Sequence, residues 1–481
     1  MAGSDGLSSG EFATAFRAFL ETAVAQAPSP EPYFRRRLTE HLGVSPTALP
    51  IVAESLPVHE HPNLQLALDD HVKEEGRAHE LLGVSSQLKR MGSLGLGDLT
   101  AAAQPGMMGP PAPDEGPVDY LNLACGQDEV LPCVQFGLYL ISGAGGPLGV
   151  LLRVSERGFG VAGVTVEVMA TERADAEEFL AAIRQRMRTR NVYRGRIVSL
   201  SAKPPMGNLE VKFHHLPQIE RDRIIMPFGL LERIERQTIR FAAHAQRLAQ
   251  AGRHLKRGLL LWGPPGTGKT LTAMYLAHQM PERTVLMLTG QTLGLIEASC
   301  SMARRLQPAT VILEDVDLVA EQRTSQSTGT NAVLFELLNQ MDGLGDDADV
   351  LFILTTNRPE LLESALASRP GRVDEAIEVP LPDSECRSRL LDLYGRGLIL
   401  QLAERATILE RTEGVSASFI KELLRKGALL AAEASPASDD PLTVTDEHLE
   451  QALADLTAEG GALTRTALGV TPPAARRPSC G

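Results

Sequence analysis

Four short stretches of this chain carry residue types whose spacing could do phosphate chemistry. Gly263-Pro-Pro-Gly-Thr-Gly-Lys-Thr270 fits the pattern G-x-x-x-x-G-K-[ST] and stands between an apolar run and the helical pattern Leu271, Ala273, Met274, Leu276. The glycines Gly263, Gly266 and Gly268 let successive backbone N–H groups turn inward, and the following helix start adds its partial positive charge. A triphosphate fits such a cradle, with Lys269 reaching the β and γ phosphates and Thr270 placing its hydroxyl on Mg²⁺. Val311-Ile-Leu-Glu-Asp-Val-Asp317 sets acids directly after an apolar strand. One, Glu314, is suited to a metal hydration shell, and the next, Asp315, to polarising a water for attack on the γ phosphate. Asn357, at the end of a third apolar run, has an amide suited to orienting that water. Arg369 and Arg372 flank a Pro-Gly turn and offer planar, permanently charged forks for phosphate oxygens.

These groups need strands that end together. Strand patterns at Thr284–Thr289, Thr310–Glu314, Val350–Thr355 and Glu375–Val379 alternate with helical segments, as in a parallel sheet with covering helices. A helix is expected over Leu230–Ala249, upstream of the phosphate loop, and a helical segment ends at Asp455. Earlier in the chain, strands are expected at Cys133–Ile141, Leu148–Val154, Val164–Met169 and Arg194–Leu200, with a helix over Ala174–Met187. Phe12, Phe16, Phe19 and Leu20 recur at helical spacing and are expected to form a small core. His59, His61, His71 and His79 are expected to be solvated loop histidines rather than metal ligands, because Pro57 and Pro62 flank the first pair.

Composition narrows the classes. A net charge of −13 over 481 residues argues against a chain that coats nucleic acid throughout, and the arginines between Arg184 and Arg196 read as a solvated helix end more readily than as a phosphate-backbone site. Five scattered cysteines, with no CxxC and no HExxH elsewhere, point away from a disulfide framework or zinc centre and towards a reducing, cytoplasmic setting. The apolar stretch Leu131–Leu152 is broken by Gly143-Ala-Gly-Gly-Pro147, so it reads as two buried strands and a turn, not a membrane span.

Together the motifs resemble the AAA family of ATPases over residues 222–456. Gly263–Thr270 resembles Walker A, Leu313–Asp317 Walker B, Thr355–Pro359 sensor 1, and Leu366–Asp374 the second region of homology. The resemblance implies an α/β P-loop fold: a parallel five-stranded AAA core and a C-terminal helical lid, in which Gly414-Val-Ser-Ala-Ser418 opens the sensor-2 helix. It implies ATP and Mg²⁺, bound by Gly263, Pro264, Pro265, Gly266, Thr267, Gly268, Lys269, Thr270 and Leu271, with Thr270 and Glu314 on the metal. Asp315, Glu314, Lys269 and Asn357 would then be catalytic, and Arg369 and Arg372 would reach the nucleotide of a neighbouring subunit in a ring, usually a homohexamer. Within the family the motifs look most similar to the mitochondrial Bcs1 branch, without its membrane helix. Two departures stand out: Glu314-Asp315 reverses the usual Asp-Glu order, and Thr292-Leu-Gly-Leu-Ile-Glu297 lacks the aromatic that unfoldases place in their pore.

The expected organisation is a helical region at 1–90, a Gly/Pro/Ala linker at 91–116, a small α+β domain for partner recognition at 117–215, the ATPase core at 216–382, the lid at 383–458 and a disordered tail at 459–481. The expected function is an ATP-hydrolysing ring that remodels or translocates a protein partner. An ATP-gated scaffold with little hydrolysis, and a nucleic-acid motor, are the alternatives.

Overall fold

The computed structural model describes residues 9–26, 31–86, 94–101, 112–143, 145–155, 163–203, 208–289, 292–317, 332–343, 345, 348–360, 373–434 and 441–458. The chain divides into two compact units, residues 1–192 with 202–211, and residues 193–201 with 212–481.

The first unit begins with α1 (Ser9–Gln26) and α2 (Tyr33–Leu42), followed by β1 (Ile51–Pro57), α3 (His61–Val72), β2 (Ala78–Ser85) and α4 (Leu96–Thr100). Then come β3 (Asp114–Gly116), β4 (Asp119–Ala124), β5 (Val130–Ser142), β6 (Leu148–Ser155), β7 (Gly163–Ala170) and α5 (Arg173–Thr189). The sheet order is β1-β7-β6-β5-β2-β3, with β4 also on β5, and the pairs are antiparallel. Leu64, Leu68, Phe179 and Ile183 of α3 and α5 cluster with Val150, Val166 and Val168 on one face. Phe34, Leu38, Leu96 and Leu99 of α2 and α4 cluster with Phe136, Leu138 and Leu151 on the other. Because both faces are covered, β5 and β6 are apolar at nearly every position, which is why the stretch approaches the length of a membrane span. No helix among the described residues is long and apolar enough to cross a membrane.

The β4–β5 register shifts between Asp119 and Tyr120, and Val134 consequently faces the α3 side although Phe136 and Leu138 face the other. Side chains of α3 take up its backbone groups: Val134 N–H donates to Gln65 Oε1 (2.9 Å), and its carbonyl accepts from His61 Nε2 (2.9 Å). Gln65 also donates to Asp69 (2.7 Å) and to the Tyr139 hydroxyl (3.2 Å). His61 and His71 are buried, each with an Nδ1 that finds no hydrogen-bond partner. Burial pushes both imidazoles down from 6.5 to about 4; for His71 the charges of Arg77 and Arg186 add to the effect. Both must therefore stay neutral in the fold. Stability that is complete above pH 6.5 is lost as the pH falls through that value towards 4, by on the order of 2.5 kcal/mol for each histidine at pH 4.5. Hydrogen exchange of the β5 amides should accelerate over that window, and His71→Leu should make the acid limb shallower by about one proton. An unchanged limb would remove His71 as its source.

Several expectations are corrected here. Residues 1–90 are not a helical region, since β1 and β2 lie within them and pair with β7 and β5, more than fifty residues away. The window 91–116 is not wholly a linker: Leu94, Leu96 and Leu99 are buried, and Leu96 N–H donates to Glu167 (2.6 Å), although residues 102–111 lie outside the described part. Phe12, Phe16 and Phe19 are exposed on α1 rather than gathered in a core. His61 and His71 are buried within α3, not in a solvated loop: His61 bonds the Val134 carbonyl, and His71 meets the Phe179 ring edge-on at 4.9 Å. The tail 459–481 lies outside the described residues.

The second unit takes its first strands from the segment assigned above to the α+β domain. Ile197 and Val198 of β8 (Ile197–Lys203) pair parallel with Val285 and Leu286, and β9 (Asn208–Phe213) follows at the edge. The chain thus enters the second unit at residue 193, returns to the first over residues 202–211 and re-enters the second at 212, rather than crossing once at 215. Next are α6 (Leu230–Glu235), whose continuation is interrupted by a π turn at Arg236–Arg240, β10 (Arg257–Trp262), α7 (Lys269–His278), β11 (Thr284–Leu288) and α8 (Ile296–Arg305). β12 (Ala309–Leu313), α9 (Ala332–Asp342), β13 (Val350–Thr356) and β14 (Glu375–Glu378) complete the sheet, in the order β14-β10-β13-β12-β11-β8-β9. The five expected strands are all present and parallel, and β8 and β9 extend them to seven. Arg283 locks the starts of β12 and β13 together, donating to Thr310, the Ala309 carbonyl and Asp349 (2.7 Å) from a buried position. The lid consists of α10 (Ser384–Tyr394), β15 (Ile399–Gln401), α11 (Arg405–Arg411), α12 (Ala417–Ala434), β16 (Thr443–Thr445) and α13 (Asp446–Ala458). Asp383 caps α10 by accepting from Cys386 N–H (2.8 Å), and Phe419, Ile420, Leu423, Leu449 and Leu453 form the lid core.

Candidate active site

The phosphate loop runs from the end of β10 into α7, and its glycines adopt conformations that side chains disfavour: φ is +148° at Gly263, +75° at Gly266 and +97° at Gly268. A Cβ on Gly263 would stand 2.3 Å from the Val379 carbonyl, and one on Gly266 would meet the hydroxyls of Ser416 (2.8 Å) and Ser418 (2.9 Å). Ser418 at the start of α12 donates its backbone N–H to the Gly266 carbonyl (3.1 Å), so the lid rests directly on the loop. Thr267 Oγ1 closes the turn on the Pro264 carbonyl (3.0 Å).

Lys269 lies in this cradle and is buried. Its ammonium donates to the carbonyls of Gly263 (2.9 Å) and Pro264 (2.8 Å). Burial lowers its pKa to about 8, and the nearby charges of Asp315 and Asp317 oppose that shift. A desolvated cation held only by carbonyl oxygens is a poor end state and a good anion receptor. Thr270 and Leu271 are half-buried in the first turn of α7, and Pro264 and Pro265 line the loop.

The acids come from the end of β12. Asp315 has φ +48°, the one non-glycine residue among those described with a positive φ. Its N–H donates to Thr355 Oγ1 (3.1 Å), and its carboxylate accepts from Asn357 Nδ2 (3.3 Å). Asn357 and Asp315 are thus brought together from neighbouring strands β13 and β12. Burial, followed by the charge of Asp317, raises Asp315 above the ordinary carboxylate value, while Lys269 and Asn357 pull against the shift. Glu314 is raised too, by burial and by Asp315, and its Oε1 is buried without a hydrogen-bond partner. That orphaned oxygen belongs to the residue next to Asp315, whose charge acts on the desolvated Lys269, and the set fits a Mg²⁺-nucleotide.

Sequence reasoning assigned no role to Asp317. It is buried, accepts from Thr356 Oγ1 (2.9 Å) and from Asn357 N–H (3.2 Å), and so fixes the backbone that presents Asn357. The only signal was a third acid two residues after Asp315. Ser416 and Ser418 were likewise visible only as part of the segment opening the lid helix. Arg369 and Arg372 lie outside the described residues.

Residues 259–381 match the family model described as "ATPase family associated with various cellular activities (AAA)". The chain is 34% identical over 201 residues to the proteasome-activating nucleotidase of Pyrococcus horikoshii, covering 39% of this chain and 50% of that protein. It is 31% identical to the 26S proteasome regulatory subunit 10B homolog A of Arabidopsis thaliana (37% of this chain, 48% of that protein) and to the 26S proteasome regulatory subunit 8 of Caenorhabditis elegans (41% and 49%). The chain spans about half the length of the curated relatives it matches. Strand order, phosphate loop and lid agree with that match, so residues 259–381 resemble the ATPase domain of the AAA family.

Proposed function

We propose that this protein binds and hydrolyses ATP and couples the reaction to remodelling a protein partner, working as a ring of identical subunits. The convergence of Lys269, Glu314, Asp315 and Asn357 at the sheet edge beside the phosphate loop carries this reading. Gly263–Thr270 cradle the phosphates through backbone N–H groups, and Lys269 exchanges its two carbonyl partners for phosphate oxygens. Thr270 and Glu314 would hold Mg²⁺, whose chemistry when bound would be neutralisation of phosphate charge. Asp315 takes the proton of the attacking water, and Asn357, steered by Asp317, orients that water. In the ring, Arg369 and Arg372 serve the site of the adjacent copy.

A protein partner is favoured over nucleic acid because arginines in and just after α5 are engaged by acids of their own unit: Arg184 with Glu54 (3.1 Å), Arg190 with Asp70 (2.7 Å) and Arg186 with Glu74. The relatives are named for the proteasome. Here the stretch Thr292–Glu297 offers no aromatic grip, so we infer action on folded or assembled partners rather than threading. The Bcs1-like character of the motifs is a finer reading of the same site and accords with that inference. Purified protein should release phosphate from ATP in the presence of Mg²⁺ and sediment as a ring in its presence. Arg372→Ala should stop turnover while leaving ATP binding intact. A monomer at all concentrations, with Arg372→Ala fully active, would sink the ring.

A further inference from the structure

We propose that the free edge of β1 is a docking site that takes up an extended segment of a protein partner as an added strand. The inference rests on the reading that this protein acts on a protein, and it names the kind of segment that is bound. β1 ends the strand order of the first unit, and it pairs with β7 in an unbroken register from Ile51↔Met169 to Pro57↔Gly163. Alternate residues of such a strand turn their N–H and C=O groups away from the neighbour. Among the described residues, none of the backbone groups that β1 turns outward meets a hydrogen-bond partner. Natural edges are blunted by short length, a lysine, a proline, a bulge or a covering element. The strand at the other end of the order, β3, is three residues long and carries two acids, Asp114 and Glu115. β1 has seven residues, no lysine, no bulge and no proline before its last position.

The two faces of β1 give the chemistry of the occupant. Val52 and Leu56 pack against the cluster formed with α3 and α5, whereas Ile51, Ala53, Ser55 and Pro57 on the other face are exposed. An added strand continues both faces, so the side chains it sets beside Val52 and Leu56 are apolar. Between them stands Glu54, already paired with Arg184 of α5 (3.1 Å). A charge opposite Glu54 would meet either that carboxylate or that guanidinium with the wrong sign, so the place between is uncharged. The occupant is therefore an extended, uncharged segment with apolar, preferably β-branched, residues at every second position. A protein exposes such a segment when one of its strands lacks a neighbour. Main-chain hydrogen bonds supply the affinity, and the alternation sets the register.

Fluorescence anisotropy of a labelled peptide of alternating valine and threonine, matched to β1 in length, tests the assignment on the full chain without nucleotide. The parent peptide should bind. N-methylation of its valines removes the N–H groups along one edge, and N-methylation of its threonines removes those along the other. One of these peptides should bind within a few-fold of the parent, and the other at least about tenfold more weakly. Alternate β1 amides should exchange hydrogen more slowly in the complex. If both N-methylated peptides bind alike, side chains alone are recognised and strand addition is wrong. If the peptide binds while β1 exchange is unchanged, another surface takes it. If the outward amides of β1 are protected without peptide, and more so at higher protein concentration, the edge pairs with a second copy. Either result overturns the assignment, as does absence of binding. Phosphate release and ring formation, measured without peptide, report on the proposed function, so the two readings fail separately.

Discussion

Lys269→Ala is expected to abolish measurable ATP turnover, a loss of at least about a hundredfold, and to weaken ATP binding severely. The ammonium is buried against two carbonyls and has its pKa lowered to about 8 by that burial. Bringing a triphosphate beside it restores the preference for the charged form, so binding draws a proton onto Lys269 at pH values above about 8. Two results follow from that linkage. ATP affinity should be flat below pH 8 and fall as the pH rises above it, and the fall should be missing in the residual binding of Lys269→Ala. The variant should also fold normally, because removing a desolvated charge relieves a cost as well as two hydrogen bonds. Calorimetric titrations at pH 7 and pH 9.5 check both points. Turnover within a few-fold of wild type would show that Lys269 does not touch the phosphates.

Asp315→Asn is expected to reduce turnover by roughly a thousandfold while ATP binding survives. Asparagine is close in shape to aspartate, tolerates positive φ, and can still meet Asn357, so the change isolates the loss of a base. Because burial and Asp317 raise the Asp315 pKa, wild-type turnover should fall away on acidification at a higher pH than a free aspartate would give. Glu314→Gln should behave differently, raising the Mg²⁺ concentration needed for activity, since the orphaned Oε1 of Glu314 is the oxygen read as facing the metal. If Asp315→Asn kept full turnover, an ATP-gated scaffold with another residue governing slow hydrolysis would become the better description.

The second unit was legible in the sequence because its signals are local. A glycine loop after an apolar strand, acids after the next but one, and an amide after a third are each read within a dozen residues, and the strands begin and end within two residues of expectation. What escaped depends on distant partners. β8 carries no mark to say that it joins β11 rather than the sheet that α5 covers. β1 alternates in burial along its length, yet its partner β7 lies more than a hundred residues on, and the flanking prolines and histidines obscured the pattern. The buried histidines of α3 were misjudged for a related reason: the backbone groups of Val134 that need them belong to β5. Asp317 was overlooked because its task, holding Thr356 and Asn357, is defined only once β12 and β13 lie side by side.

The left-handed backbone at residue 315 bears on which acid that position accepts. Aspartate and asparagine enter that conformation more readily than glutamate, whose longer side chain gains nothing from it. Glutamate at 315 would strain the backbone by on the order of 1 kcal/mol. The turn that follows β12 thus favours the shorter acid at 315 and leaves the longer one to the strand end at 314.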